Sequence, residues 1–399
     1  MLCLLAVLSI AYLRNRWFER RKLRPKGIRA RPDVIRHDLD RMVEYLDRLQ
    51  DADPAVWRPF ELGLAAMAMC QWDQAIEHFQ KAQAKANGAQ LVPVHVQTGV
   101  CHYIQGCPDD ALTEFKEATR LARLYGDKQG EAAALGNIGI LRHDSGELGS
   151  ALRKLREALA ITRKYGDQRA AAPYLANIGN IYRDRGESDK ALRFLEDALA
   201  ISREVGDKPG MASCLGSIGS TRCDRGRLGE ALQHFEEALA VSRETQDRRG
   251  MASCLGKIGN VHHYCGELDE ALMHYEGALA LEREIGYEVG VATELSNIGL
   301  ILVDKGLHAQ AVPTLAEALA SQLALGVARG PRQTLYGLSR SDDLLGRERM
   351  PELFKQAGLT DAGVADFLDR IDQTRLRRPR PKPGRRAPLV LRRLAVGAR

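Results

Sequence analysis

The stretch LANIGNIYRDRGESDKALRFLEDALA, residues 175–200, decides how the chain folds. Leu175, Ile178, Gly179 and Tyr182 fall on one face of a helix, the spacing of an amphipathic segment. After Gly186 the pattern restarts, and Ala191, Leu195 and Ala198 line the face of a second helix. The small Gly179 on one side and the two alanines on the other predict a closely packed helical hairpin.

Working outward, the same pattern recurs. Gly139, Gly179, Gly219, Gly259 and Gly299 stand 40 residues apart, as do Leu135, Leu175, Leu215, Leu255 and Leu295. Each glycine is followed by an alanine (Ala151, Ala191, Ala231, Ala271, Ala311), a large apolar residue and a second alanine. Two looser copies precede them, on Gly63/Ala75/Phe79/Ala82 and Gly99/Ala111/Phe115/Ala118, with a 36-residue step. That makes seven hairpins over residues 57–326. Gly146, Gly186, Gly226, Gly266 and Gly306 mark turns within hairpins. The pairs Gly126-Asp127, Gly166-Asp167 and Gly206-Asp207 supply a left-handed cap and then a helix start between them. A lone hairpin cannot bury its apolar face, so neighbours must stack.

Leu175-x-x-Ile178-Gly179-x-x-Tyr182 followed by Ala191-x-x-x-Leu195-x-x-Ala198 resembles the tetratricopeptide repeat signature. The 40-residue step resembles the long-helix variety seen in cell-polarity adaptors, kinesin light chains and bacterial signalling proteins. The proline that often closes the second helix is missing. The resemblance implies an all-α, right-handed superhelical solenoid of about seven helix-turn-helix repeats, with protein binding as the shared activity.

The rest of the chain is organised around this array. Residues 1–31 combine an apolar segment with a basic stretch, 33–56 read as an N-terminal helical cap, 327–372 as C-terminal capping helices, and 373–399 as a basic, proline-rich tail expected to be disordered. Net charge is +6, yet Arg14–Arg31 carries +8 and Arg375–Arg399 carries +10, leaving about −12 for the remainder. Nucleic acid is therefore not expected on the body, and the basic ends are candidates for anionic lipid. The tail could also meet nucleic acid or the acidic body itself. Residues 2–13 (LCLLAVLSIAYL) span only ~18 Å as a helix, and ~27 Å if counted through Phe18 with Arg14 and Arg16 snorkelling. The charge follows the apolar run, unlike a cleaved signal peptide. The expectation is an anchor that leaves the repeats at the cytoplasmic face of a membrane; a mis-assigned start or a non-spanning helix is the alternative. The eight cysteines form no CxxC pair and read as buried free thiols of a reducing compartment.

At 100° per residue, the positions opposite the apolar face of each first helix form a row. It runs Asn137, Ile140, Asp144; Asn177, Asn180, Asp184; Ser217, Ser220, Asp224; Lys257, Asn260, Tyr264; and Asn297, Leu300, Asp304, with His143, Arg183 and His263 beside it. Asparagine amides donate and accept, so this row is the candidate partner-binding groove for a protein or extended peptide. The resemblance extends such an asparagine ladder to Asn137, Asn177, Asn180, Asn260 and Asn297. A merely solvated polar face is the competing reading, and the aspartates could instead serve the turns. A clamp for a terminal carboxylate is not expected, because Gly136, Ala176, Gly216 and Gly256 stand where cations would be needed.

No P-loop, HExxH or GxSxG motif occurs, so neither an enzyme nor a cofactor is expected. Gly136–Gly139 and Gly216–Gly219 read as packing glycines. His262, His263 and Cys265 are the densest metal-type cluster, but neighbouring histidines on a helix point about 100° apart, so no metal is expected. The leading expectation is a non-catalytic scaffold. A regulatory subunit of a separately encoded enzyme or transcription factor is an alternative. So is an envelope-assembly factor, since anchor, basic stretch and repeats resemble the membrane-bound regulator of lipopolysaccharide assembly, without its cysteine-pair metal domain.

Overall fold

The computed structural model describes residues 54–69, 71–326 and 330–376. These residues are all-helical, and the helices pack as consecutive hairpins. Hairpin 1 pairs α1 (Pro54–Ala68) with α2 (Trp72–Gln83), and hairpin 2 pairs α3 (Leu91–Ile104) with α4 (Pro108–Tyr125). Hairpins 3 to 5 are α5 (Lys128–Asp144)/α6 (Leu148–Lys164), α7 (Gln168–Asp184)/α8 (Ser188–Glu204) and α9 (Lys208–Asp224)/α10 (Leu228–Glu244). Hairpin 6 is α11 (Arg248–Cys265)/α12 (Leu268–Ile285), and hairpin 7 is α13 (Glu288–Asp304)/α14 (His308–Ala324). Then come α15 (Gly330–Leu345), α16 (Met350–Gln356) and α17 (Asp361–Leu376). The tighter 36-residue spacing at the start follows from shorter helices, 12 residues in α2 against 17 in α6.

Two boundaries differ from the sequence reading. α1 begins at Pro54, so residues 54–56, assigned above to a cap, form the first turn of hairpin 1. α17 runs on to Leu376, so residues 373–376, assigned to the tail, are helical. Residues 1–53 and 377–399, including the anchor, most of the N-terminal cap and most of the basic tail, lie outside the described residues. Among the described residues no helix is long and apolar enough to cross a membrane.

The chain divides into two compact units, one up to Ile285 and one from Gly286 onward. In the first, the repeat logic is visible in the packing. A Cβ on Gly179 would stand 2.7 Å from Leu195 Cγ and 3.1 Å from the Ala191 carbonyl oxygen, so only a hydrogen fits there. Ala191 and Ala198 are fully buried on the facing helix. Between hairpins, Asp127, Asp167 and Asp207 accept from the backbone N–H of Gly130, Ala170 and Gly210 at 2.9, 2.9 and 3.0 Å, satisfying a first-turn donor that would otherwise be orphaned. The glycine before each is left-handed. At the next junction Gln246 takes that backbone (φ 54°) without being glycine.

In the second unit, Val312, Leu315 and Leu319 of α14 form a core with Leu338, Met350, Phe354 and Ile371 from the last three helices. Those helices thereby cover the apolar face of hairpin 7. Arg347 ties them together, donating to Asp342 and Asp372 at 2.7 and 2.6 Å and to the Leu368 carbonyl at 3.1 Å. Six cysteines fall among the described residues, all free; Cys101, Cys214 and Cys254 are buried, while Cys265 is exposed. Burial, helped by the Asp207 charge, pushes the Cys214 thiol up to about 12, which makes it a packing group.

Candidate partner-binding groove

Within the first unit, the first helices of successive hairpins pack on one another: α3 on α5, α5 on α7, α7 on α9 and α9 on α11. Their outward faces therefore follow one another, and they carry the part of the row that lies on α5, α7, α9 and α11. The side chains in the row have different fates.

Asn137 and Asn177 occupy equivalent places on α5 and α7, half-buried, and neither amide is used by another described residue. Asn180 is also half-buried, and its enclosed Oδ1 accepts no hydrogen bond from any described residue. Asn260 is exposed and already accepts from the Tyr275 hydroxyl at 2.8 Å, leaving its amide N–H groups to donate. Ser217 is half-buried, whereas Ser220 turns inward and donates to the Gly216 carbonyl at 2.8 Å. Lys257 reaches back over hairpin 5, its ammonium 5.7 Å from the Phe235 ring centre and 3.1 Å from where a Gly216 Cβ would stand. The absent side chain at Gly216 is thus what makes room for this cation. Tyr264 is 69% exposed and His263 is half-buried.

In the second unit, Asn297 donates to Glu294 at 3.1 Å, and Leu300 packs where Gly337 of α15 leaves space. Burial pushes the Glu294 carboxyl up to about 7 against the opposing pull of the Asn297 hydrogen bond.

The aspartates do something the sequence reading did not anticipate. Tyr103 donates to Asp144, His143 Nε2 to Asp184 at 2.8 Å, and Arg183 lies 4.0 Å from Asp224. Each pair joins one first helix to the next over a 41-residue step, so Asp144, Asp184 and Asp224 are rungs between repeats, with their carboxylates exposed. Arg183 also contacts Asp184 at 3.2 Å. Burial acts to raise the Asp184 carboxyl, but the His143 hydrogen bond and the Arg183 charge outweigh it and hold it below the usual carboxylate range. At Asp224 burial wins over Arg183, with Asp184 adding repulsion, and the carboxyl is raised. The signal was present in the sequence as a Tyr103/His143/Arg183 column set one residue ahead of the aspartate column.

Between hairpins 5 and 6 the pattern is broken, with Cys223 at the donor position and Tyr264 at the acceptor's. His262 stacks on His274 with ring centres 5.2 Å apart, and its Nδ1 donates to the Glu267 carboxylate at 2.6 Å. Among the described residues no group of His, Cys, Asp or Glu is arranged to hold a metal.

Comparison with known proteins bears on this arrangement. The tetratricopeptide repeat family profile matches residues 90–164, 169–244 and 250–324, two hairpins in each match. No curated protein matches the chain by sequence. Among solved structures, a Rap protein complexed with competence and sporulation factor is similar with a TM-score of 0.60 at 15% identity, covering 94% of this chain and 97% of that one. Aspartyl phosphate phosphatase F from Bacillus subtilis gives 0.56 at 13% identity, covering 93% of each chain. A signal-transduction ATPase with a tetratricopeptide repeat sensor from Pyrococcus horikoshii gives 0.56 at 15% identity, covering 84% of this chain and 49% of that one. At these identities the likeness is one of fold. The profile matches cover more than half of the chain, and with the consecutive helical hairpins they establish that it belongs to the tetratricopeptide repeat family.

Proposed function

We propose that the chain is a non-catalytic scaffold that holds an extended segment of a partner protein along the first helices of hairpins 3 to 6. The observation that carries this reading is the pair Asn137 and Asn177, two half-buried amides at equivalent positions that no described residue uses. An uncommitted amide can bind one N–H and one C=O of a peptide backbone, which needs no particular side chain. With packed helices about 8–10 Å apart and an extended chain rising ~3.3 Å per residue, successive repeats would meet every third residue of the ligand. Asn180, Asn260 and the exposed Tyr264 extend the same strip, and Lys257 adds a cation at hairpin 6. The ladder through His143, Arg183 and Asp184 fixes the spacing of the repeats that present these groups.

The apolar residues 2–13 and the basic residues after them support a tether to the cytoplasmic face of a membrane as part of this reading. Fractionation of cells expressing the chain with and without residues 1–31 tests the tether. Affinity capture with wild type and Asn137→Ala/Asn177→Ala/Asn180→Ala tests the groove. Loss of the captured partner in the variant is expected; recovery of the same partner by both proteins would refute the groove.

A further inference from the structure

The second helices turn equivalent positions outward, and the charges at those positions change sign along the first unit. α6 exposes Arg153, Arg156, Arg163 and Lys164 on one face, at steps of three, seven and one residues, which places them in a single stripe. In the next three hairpins the positions of Arg156 and Lys164 are held by glutamates: Glu196 and Glu204, Glu236 and Glu244, Glu276 and Glu284, all exposed. Several of these glutamates serve the stack. Glu244 accepts from Lys208, Glu284 from Arg248, and Glu196 lies 3.5 Å from Arg222.

On α6 no carboxylate serves at these two positions. Lys128, the counterpart of Lys208, turns instead to Glu131 at 2.9 Å, and Arg156 donates to the Tyr182 hydroxyl. Arg153, Arg163 and Lys164 have no acidic partner among the described residues, and neither has Lys116 at the equivalent place on α4. Beside this basic face, at the ends of the same two helices, Leu124, Tyr125 and Tyr165 are 63%, 50% and 58% exposed.

We propose that the outer faces of α4 and α6 form a docking surface for an anionic lipid bilayer. Unneutralised cations flanked by exposed tyrosine and leucine are the composition that suits a headgroup layer, where the charges meet phosphate and the rings sit at the interface. The surface is made of outward helix faces. It belongs to hairpins 2 and 3, at the end of the array nearest in sequence to the apolar residues 2–13 and the basic stretch that follows them. The choice of lipid rests on the tether reading, while the surface itself is independent of the groove.

The test uses the full chain with phosphatidylcholine vesicles, with and without phosphatidylserine, and follows lysine acetylation by mass spectrometry. Lys116 and Lys164 are expected to react several-fold more slowly with the anionic vesicles only, while Lys190 and Lys208, which lie in ion pairs within the array, keep their rates. Arg156→Glu/Lys164→Glu installs residues that the later repeats carry at those positions, so the fold is expected to tolerate it. It should abolish the protection of Lys116 and weaken binding to the anionic vesicles by about fivefold for each cation removed. Equal rates at Lys116 and Lys164 with both kinds of vesicle would overturn the proposal. Stronger protection by a single-stranded RNA than by the anionic vesicles would overturn the assignment to lipid. If fractionation shows no tether yet the anionic vesicles protect both lysines, the surface stands and the anchor falls.

Discussion

His143 on α5 and Asp184 on α7 are 41 residues apart, yet His143 Nε2 donates to Asp184 Oδ2 across 2.8 Å. This contact is the middle rung of a ladder that begins with Tyr103 and Asp144 and continues with Arg183 and Asp224. Repeat proteins derive stability from each hairpin and from the interface to its neighbour, and the rungs belong to the second kind. Their position beside the asparagine row means that they set the spacing at which the row is offered.

Asp184→Asn is expected to weaken this interface. The carboxylate is 41% exposed, so solvent screening limits the loss to about 1 kcal/mol or less at neutral pH. The folded carboxyl is held below its ordinary value, so its contribution is present above the unfolded value of about 3.9 and is lost as pH falls through the folded one. The variant should therefore be less stable than wild type at pH 7, with the difference shrinking in acid. Urea midpoints across that range check it; a pH-independent difference would contradict the assignment.

Two glycine-to-alanine substitutions are expected to act in opposite directions. At Gly179 the new methyl would stand 2.7 Å from the Leu195 branch carbon, and overpacking of about 1–3 kcal/mol exceeds the ~1 kcal/mol gained in helix propensity. At Gly149 on α6 nothing lies within 4 Å of the new methyl, so the propensity gain remains. Thermal melts should show Gly179→Ala lowered and Gly149→Ala raised or unchanged.

Glu294 gives the second unit a pH dependence of the opposite sign to that of Asp184. Its folded carboxyl is raised to about 7 by burial, so the folded state holds a proton that the unfolded state has released. Stability should fall as pH rises from about 4.5 to about 7 and then level off, by up to about 3 kcal/mol at ~1.4 kcal/mol per unit. Glu294→Gln keeps an acceptor for Asn297 and should remove this dependence. Hydrogen exchange of the α13 amides at pH 5 and pH 8 reads it: the variant should protect α13 better than wild type at pH 8 and equally at pH 5.

How much of this was legible in the sequence depends on the range of the interaction. The hairpins were, because Gly179 against Leu195 and Ala191 is a contact that repeats at fixed offsets. Even hairpin 1, which precedes the first family match at residue 90, was visible from Gly63 and Phe79. The face carrying the groove was legible too, since the angle around one helix fixes it. What each side chain on that face touches was not. Ser220 turns into its own backbone, Asn260 is taken by Tyr275, Asn297 by Glu294, and Lys257 lies over Phe235. These choices depend on rotamers and on the neighbouring helix. The ladder was hidden for a related reason: its period is 40 residues but its contacts span 41.

The central claim is that the amides of Asn137 and Asn177 hold a partner's backbone. Its most direct measurement is the dissociation constant of the captured partner segment for wild type and for Asn137→Ala/Asn177→Ala, at matched thermal stability. Each amide lost removes hydrogen bonds worth about 0.5–1.5 kcal/mol apiece, so the double variant should bind roughly tenfold more weakly or worse. Equal affinity for the two proteins would contradict the account.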